Sequence, residues 1–178
     1  MKKTIFTIIA LVAISSVALA QQKEAFSKGD KLLNLGVGVN SYYSGGMPVG
    51  ASFEVGVSDA ISVGVNFDYL SHKYDFGYGI SDKFTALYFG GRCSYHLDKV
   101  FDINSDKFDV YVGAALGYRS FTWNDTYSGS DLGNSYGSGI YLGGYVGGKY
   151  YFNNNIGAFV ELGEIGSTNA RLGVAFKF

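Results

Sequence analysis

Ser71, His72 and Asp75 lie within one short stretch, and a hydroxyl, an imidazole and an acid are the parts of a nucleophile activated by a general base. Acyl transfer is the chemistry such a set performs. The chain holds two histidines, His72 and His96, and one cysteine, Cys93. One cysteine excludes an internal disulfide. No Cys/His cluster has the spacing of a metal site, and no glycine-rich turn runs from a strand into a helix to cradle a phosphate. Ser71, His72 and Asp75 are also ordinary loop residues, so no catalytic residue, metal or cofactor is expected. The more regular signal is electrostatic. Glu54, Asp68, Arg92, Asp109, Arg119, Lys149, Glu161 and Arg171 all fall between apolar residues that recur at every second position.

That alternation identifies the elements. Val49, Ala51, Phe53, Val55 and Val57 are separated by Gly50, Ser52, Glu54 and Gly56, a period of two that gives a strand one apolar and one polar or small face. Eight such segments follow one another. Their apolar faces begin at Leu33, Val49, Ile61, Leu87, Phe108, Ile140, Ile156 and Ala170. A segment of about ten residues matches the ~9–11 that a tilted strand needs to cross a bilayer. After Ala20 no apolar run reaches the ~18 residues of a spanning helix.

The first twenty residues differ from the rest. Lys2 and Lys3, the apolar stretch Ile5 to Ile14 and the small-residue site Ala18-Leu19-Ala20 form a secretory signal, expected to be cleaved before Gln21. Cys93 is far from that site and cannot carry a lipid anchor there. Residues 21–178 then form a single domain of formal charge −3, too weak an imbalance to imply a nucleic-acid partner. Twenty-six glycines, fifteen tyrosines and fourteen phenylalanines beside one proline favour β structure.

The expected fold is all-β, an eight-stranded antiparallel up-and-down transmembrane barrel. Short links at 58–60 and 153–155 alternate with long ones after the first, third and fifth segments, the asymmetry of inner turns and outer loops with both termini periplasmic. The link Asp98–Lys107 is long for that rule and Glu164–Ser167 is short. A soluble sandwich or lipocalin-like barrel is the competing architecture, but it must fit the aromatics into one small core. Facing lipid, they need no such fit. Tyr69 and Tyr118 at one end, with Tyr95, Phe108, Tyr150, Phe152 and Phe178 at the other, are placed as interfacial girdles. The eight charges then face inward and cancel, with Glu161 and Arg171 expected side by side in the last hairpin. Gly64, Gly90, Gly113, Gly143, Gly147 and Gly173 leave room for Tyr88, Tyr111, Tyr141, Tyr145 and Phe159.

The final residues, Arg171-Leu172-Gly173-Val174-Ala175-Phe176-Lys177-Phe178, resemble the C-terminal assembly signal of outer-membrane proteins. Arg171, Gly173, Phe176 and Phe178 are the matching positions, which the resemblance implies are read by the barrel-assembly machinery. Residues 21–178 resemble the small eight-stranded barrels of the OmpA transmembrane-domain and OmpX type. The resemblance implies a monomer in the outer membrane of a Gram-negative bacterium, in contact with lipid and lipopolysaccharide. OmpA-type proteins also carry a peptidoglycan-binding domain; none is expected here, and cell-wall tethering is not carried over. Three functions remain. A structural or surface-interaction role uses loops 40–46 and 120–137, the latter with Phe121, Trp123, Tyr127 and Tyr136, whose Tyr, Ser, Gly and Asn make adaptable contacts with an external ligand or host surface. A narrow channel is disfavoured, because side chains fill eight strands. A lipid A-modifying enzyme shares the scaffold but needs a hydrocarbon slot, and eight inward charges leave none.

Overall fold

The computed structural model describes residues 24–43, 45–77, 80–103, 105–124 and 137–178. The signal segment 1–20, the cleavage point before Gln21, and Tyr127 and Tyr136 lie outside them. Eight strands run β1 (Lys31–Ser41), β2 (Val49–Gly56), β3 (Ile61–Gly77), β4 (Ile80–His96), β5 (Phe108–Asn124), β6 (Gly139–Tyr151), β7 (Ile156–Ile165) and β8 (Thr168–Lys177). Each is antiparallel to the next, and β1 also pairs with β8 to close the barrel. The competing open sandwich is thereby excluded.

Register keeps the apolar faces in phase around the wall. Leu35, Ala51, Phe67, Phe89, Tyr118 and Ile140 oppose one another in turn from β1 to β6, and a slip of one residue at any seam would turn a strand inside out. The sides are inverted relative to a soluble protein. Val65 and Leu116 are each 59% exposed on the outside, whereas Asp68 and Asp109 are 0% exposed within. So large a continuous apolar surface is stable against hydrocarbon and not against water. Aromatic pairs border it: Phe108–Tyr150 at 4.9 Å and Tyr150–Phe152 at 5.7 Å at the end where β1 starts and β8 finishes, and Phe89–Tyr118 at 6.0 Å at the loop end.

Residues 70–77 and 80–86, read from the sequence as part of an external loop, are strand. β3 and β4 continue as a hairpin well beyond Tyr69 and Leu87, and β5 extends past Tyr118 to Asn124. The alternation there changes phase, which hid it. Leu70, Tyr74, Phe84 and Ala86 now turn inward, while Lys73, Asp75 and Lys83 face out. On β5, Phe121 and Trp123 join the inward aromatics and Thr122 is exposed. Above the apolar belt the outer face meets water, so the apolar residues take the other side. The three strands make a tall palm. Opposite it, β7 and β8 turn tightly at Gly166-Ser167, where Gly166 has φ +67°, a left-handed conformation that suits glycine.

Depth is therefore testable on one strand face. Val112→Arg, in the belt, should cost about 2–4 kcal/mol, and Thr122→Arg, above Tyr118, about 0–1 kcal/mol. Reversible urea unfolding in lipid vesicles measures both. Equal costs would place the belt wrongly.

Candidate functional site: the barrel interior and its two mouths

Alternation delivers one inward side chain from every second strand residue, and the barrel is narrow enough for these to meet across it. At mid-height Arg92 on β4 reaches two other strands. Its Nη2 lies 2.6 Å from Glu161 Oε1 on β7 and its Nε 3.1 Å from Glu54 Oε2 on β2. Tyr111 donates to Glu161 Oε1 at 3.0 Å, and Ser94 and Ser62 donate to Glu54 Oε1 at 2.7 and 3.0 Å. The guanidinium also lies 4.3 Å from the centre of the Tyr145 ring, a cation–π contact that adds to the pair once water is gone. Toward the termini, Asp109 takes Lys149 Nζ at 2.8 Å and His96 Nδ1 at 2.6 Å. The other ring nitrogen of His96 is 3.0 Å from Ser62 Oγ. A continuous polar chain thus runs from Lys149 to Glu161.

Toward the loops, Arg171 Nη2 pairs with Asp68 Oδ2. The other oxygen of Asp68 accepts from the Ser167 backbone N–H at 2.9 Å and from its hydroxyl, which fixes the β7–β8 turn to the opposite wall. Glu161 and Arg171 do stand opposite in the ladder. Their ion pairs, however, go elsewhere, to Arg92 and Asp68. Long inward side chains in a closed barrel meet partners across the lumen, not only beside them. Arg119 differs too. It is half-buried at the loop mouth and donates to Gly137 O at 3.1 and 2.7 Å from Nε and Nη2, apart from the seven buried charges.

Small residues make the interior fit. A Cβ on Gly113 would lie 2.3 Å from Tyr145 Cζ, and one on Gly147 would lie 2.4 Å from Tyr111 Cζ. Phe159 instead rests against Gly36 and Tyr141 against Gly117, two glycines the sequence reading did not single out. Of the assembly-signal positions, Arg171 is buried and Gly173 packs against β1, while Phe178 is exposed at the seam, exchanging backbone hydrogen bonds of 3.0 and 3.1 Å with Lys31. Ser71 and His72 are consecutive strand residues and so point to opposite faces. Ser71 Oγ donates to Phe84 O at 3.1 Å and the His72 ring meets Tyr74 edge-on at 4.8 Å. They form no catalytic pair. Cys93 is exposed on the apolar outside.

One element had no sequence signal. Residues 24–30, ahead of β1, fold into the mouth at the terminal end. Phe26 stacks on His96 at 3.5 Å and Ala25 packs on Tyr151, Phe159 and Ala175. Lys177 Nζ donates to Ala25 O at 2.7 Å. Beside this cork, Asp98 organises the β4–β5 link, accepting from Val110 N at 3.1 Å on Oδ1 and from Ile103 N at 2.8 Å on its carbonyl. Burial, and then the nearby charge of Asp109, push the Asp98 carboxyl up to about 7.

Neither the family models nor the curated proteins contain a match to this sequence. Solved structures do match. Ail, the attachment invasion locus protein of Yersinia pestis, aligns at 11% identity and TM-score 0.55, covering 85% of this chain and 99% of Ail. OprG from Pseudomonas aeruginosa aligns at 13% and 0.54, covering 87% and 99%. This chain has the fold of the small outer-membrane barrels. A de novo designed transmembrane β-barrel matches nearly as well, at 19% identity and TM-score 0.51 over 85% and 98%. A likeness shared with a designed protein reports architecture, and the side-chain network of this barrel has to be read from its own residues.

Two measurements probe that network. Arg92→Ala leaves Glu54 and Glu161 both without their cation and should cost about 3–5 kcal/mol, whereas Arg92→Ala combined with Glu54→Gln and Glu161→Gln should recover part of the loss. Urea unfolding in vesicles decides, and an Arg92→Ala loss below that of an exposed pair contradicts the geometry. The second concerns Asp98. Its folded pKa lies above the ordinary carboxylate value, so the folded state holds a proton that the unfolded state has released. Stability should then fall as pH rises from about 4 to about 7. Asp98→Asn keeps an acceptor for Val110 N and should flatten that slope; an unchanged slope assigns it to another group.

Proposed function

We propose that this protein is an integral outer-membrane barrel that keeps its lumen filled and does its work at the surface, through the parts that rise above the bilayer. The observation that carries this reading is the inversion of the wall: a belt of exposed apolar side chains enclosing paired, buried charges. On this reading the signal segment directs export, the final strand is read by the barrel-assembly machinery, and both termini face the periplasm. The barrel is a monomer, and it has no enzymatic role.

The filled lumen is supported by three ion-pair layers, by tyrosines seated on glycines and by the cork at the terminal end. The surface role is supported by the palm of β3, β4 and β5, where Phe84, Phe121 and Trp123 stack on one another and Tyr43, from the link after β1, stacks on Phe121. Stacked rings stiffen an extended hairpin, as a contact surface requires. Ail, named for attachment and invasion and also solved with the heparin analogue sucrose octasulfate, has this same fold. That makes a host-surface or glycan partner the first class to test.

Planar-bilayer recording of the pure protein should show no large stable conductance. Removing residues 24–30 should leave it closed, because the ion-pair layers lie deeper. A steady conductance from the unaltered barrel would favour the channel reading instead. In parallel, replacing 73–83 by a two-residue Asn-Gly turn, which keeps His72 opposite Phe84, should abolish binding of whole cells to glycan-coated surfaces without lowering the level of folded barrel.

A further inference from the structure

The sequence supplies four inward bases for four inward acids, but Arg119 stands half-buried at the loop mouth and leaves the buried acids one cation short. Asp68 and Arg171 close on each other. The remaining network, from Lys149 to Glu161, sets three carboxylates, Asp109, Glu54 and Glu161, against two permanent cations, Lys149 and Arg92, and all five are buried. A surplus anion sealed from water is costly. One further side chain in this network can become a cation: His96, only 2% exposed.

Its hydrogen bonds require the charge. Asp109, ion-paired with Lys149, has no proton to give, so its 2.6 Å contact with His96 Nδ1 is a donation from the ring. Ser62 has a single hydroxyl proton and lies 3.0 Å from both Glu54 Oε1 and His96 Nε2. Glu54 is ion-paired with Arg92 and only accepts. Ser62 therefore gives its proton to Glu54 and accepts from Nε2. Both ring nitrogens then donate, which only the imidazolium can do. The stack on the face of the ring agrees. Phe26 lies flat on His96, with centroids 3.5 Å apart and planes 7° from parallel. Two neutral rings avoid such a sandwich in favour of offset or edge-on packing at larger separation, whereas a cation over a phenyl face is attracted to it.

We propose that His96 is the fourth buried cation of the barrel and a charge-dependent latch for the cork. Protonated, it holds Phe26 in the terminal-end mouth. Deprotonated, it lets residues 24–26 go, while the stretch behind them stays tied to β2 by Gly29 N–H donating to Gly56 O at 2.9 Å and Gly56 N–H to Asp30 O at 2.8 Å. The titratable groups around the ring are Glu54 behind Ser62, Asp109 and Tyr111 on β5, Lys149 and Tyr151 on β6, and Asp98 on the link that follows β4. Glu24, Lys99, Asp30 and Lys177 flank the cork. His96 both completes the network and carries the Phe26 ring, so one proton couples the two. Release leaves the deeper ion pairs in place. The device changes what the mouth presents, not whether the barrel conducts.

Nuclear magnetic resonance of the folded barrel with isotope-labelled histidine, assigned with the help of His72→Gln, reads both halves of the proposal. At neutral pH the His96 ring should show two protonated nitrogens, and a water-soluble gadolinium chelate should leave its signals sharp. Titrated upward, the ring should lose one proton and its signals should broaden in the chelate over the same pH interval. Phe26→Leu keeps an apolar plug without a π face and should move the midpoint of that titration to lower pH, because the charged ring loses its partner. A plug that only fills space would leave the midpoint where it was, and that result overturns the latch. Asp98→Asn should leave the release unchanged, which separates it from the neighbouring carboxyl; a release that vanishes in this variant belongs to Asp98 and overturns the assignment. A neutral His96 ring at neutral pH would place the proton elsewhere in the network and defeat the proposal outright. So would a ring that stays shielded from the chelate after losing its proton, since the cork would then be a fixed plug. The wild-type titration supplies these last two outcomes even if a variant fails to fold.

Discussion

Arg92 satisfies two carboxylates from strands that are not its neighbours, and much of the interior follows from that demand. A charge taken out of water is tolerated only where a partner and hydrogen-bond donors replace its hydration. With Glu54 on β2 and Glu161 on β7 both turned to Arg92 on β4, the three strands are held at fixed heights across the lumen. Ser62 and Ser94 then supply donors to the Glu54 oxygen the guanidinium does not reach, and Tyr111 adds one to the Glu161 oxygen that it does. Tyr111 and Tyr145 need glycines opposite them, and these in turn bring the strands close. Ser62 shows how tightly this is drawn. Its hydroxyl joins Glu54 to His96 and is fully buried.

Much of the barrel was legible in the sequence, and the limits have physical causes. Strand count, the inward set of charges and the opposition of Glu161 to Arg171 follow from period-two alternation, a local property. The actual partners of Glu161 and Arg171 do not, because lumen contacts depend on how far the barrel's shear brings distant strands into one layer. The cork was invisible for a related reason: Ala25 and Phe26 carry no periodicity, and their burial depends on a mouth assembled from strands far along the chain.

The palm was missed through an assumption about solvent. A search for apolar residues in one constant phase ends β3 at Tyr69, where Leu70, Tyr74 and then Phe84 take up the opposite phase. That reversal is itself a signal. It occurs on β3, β4 and β5 at the aromatic border, where the medium outside the wall changes from oil to water. Read in that way, Tyr118 followed by Phe121 and Trp123 marks the edge of the bilayer on a single strand.

The cork also has an order in time. Ala25 rests on β6, β7 and β8, Phe26 on β4 and beside Gly56 of β2, and Lys177 near the end of the chain holds the Ala25 carbonyl. No hairpin alone presents that surface. The first residues of the described chain can settle only after the last strand has met the first, so a segment that leaves the ribosome ahead of all eight strands is among the latest to find its place.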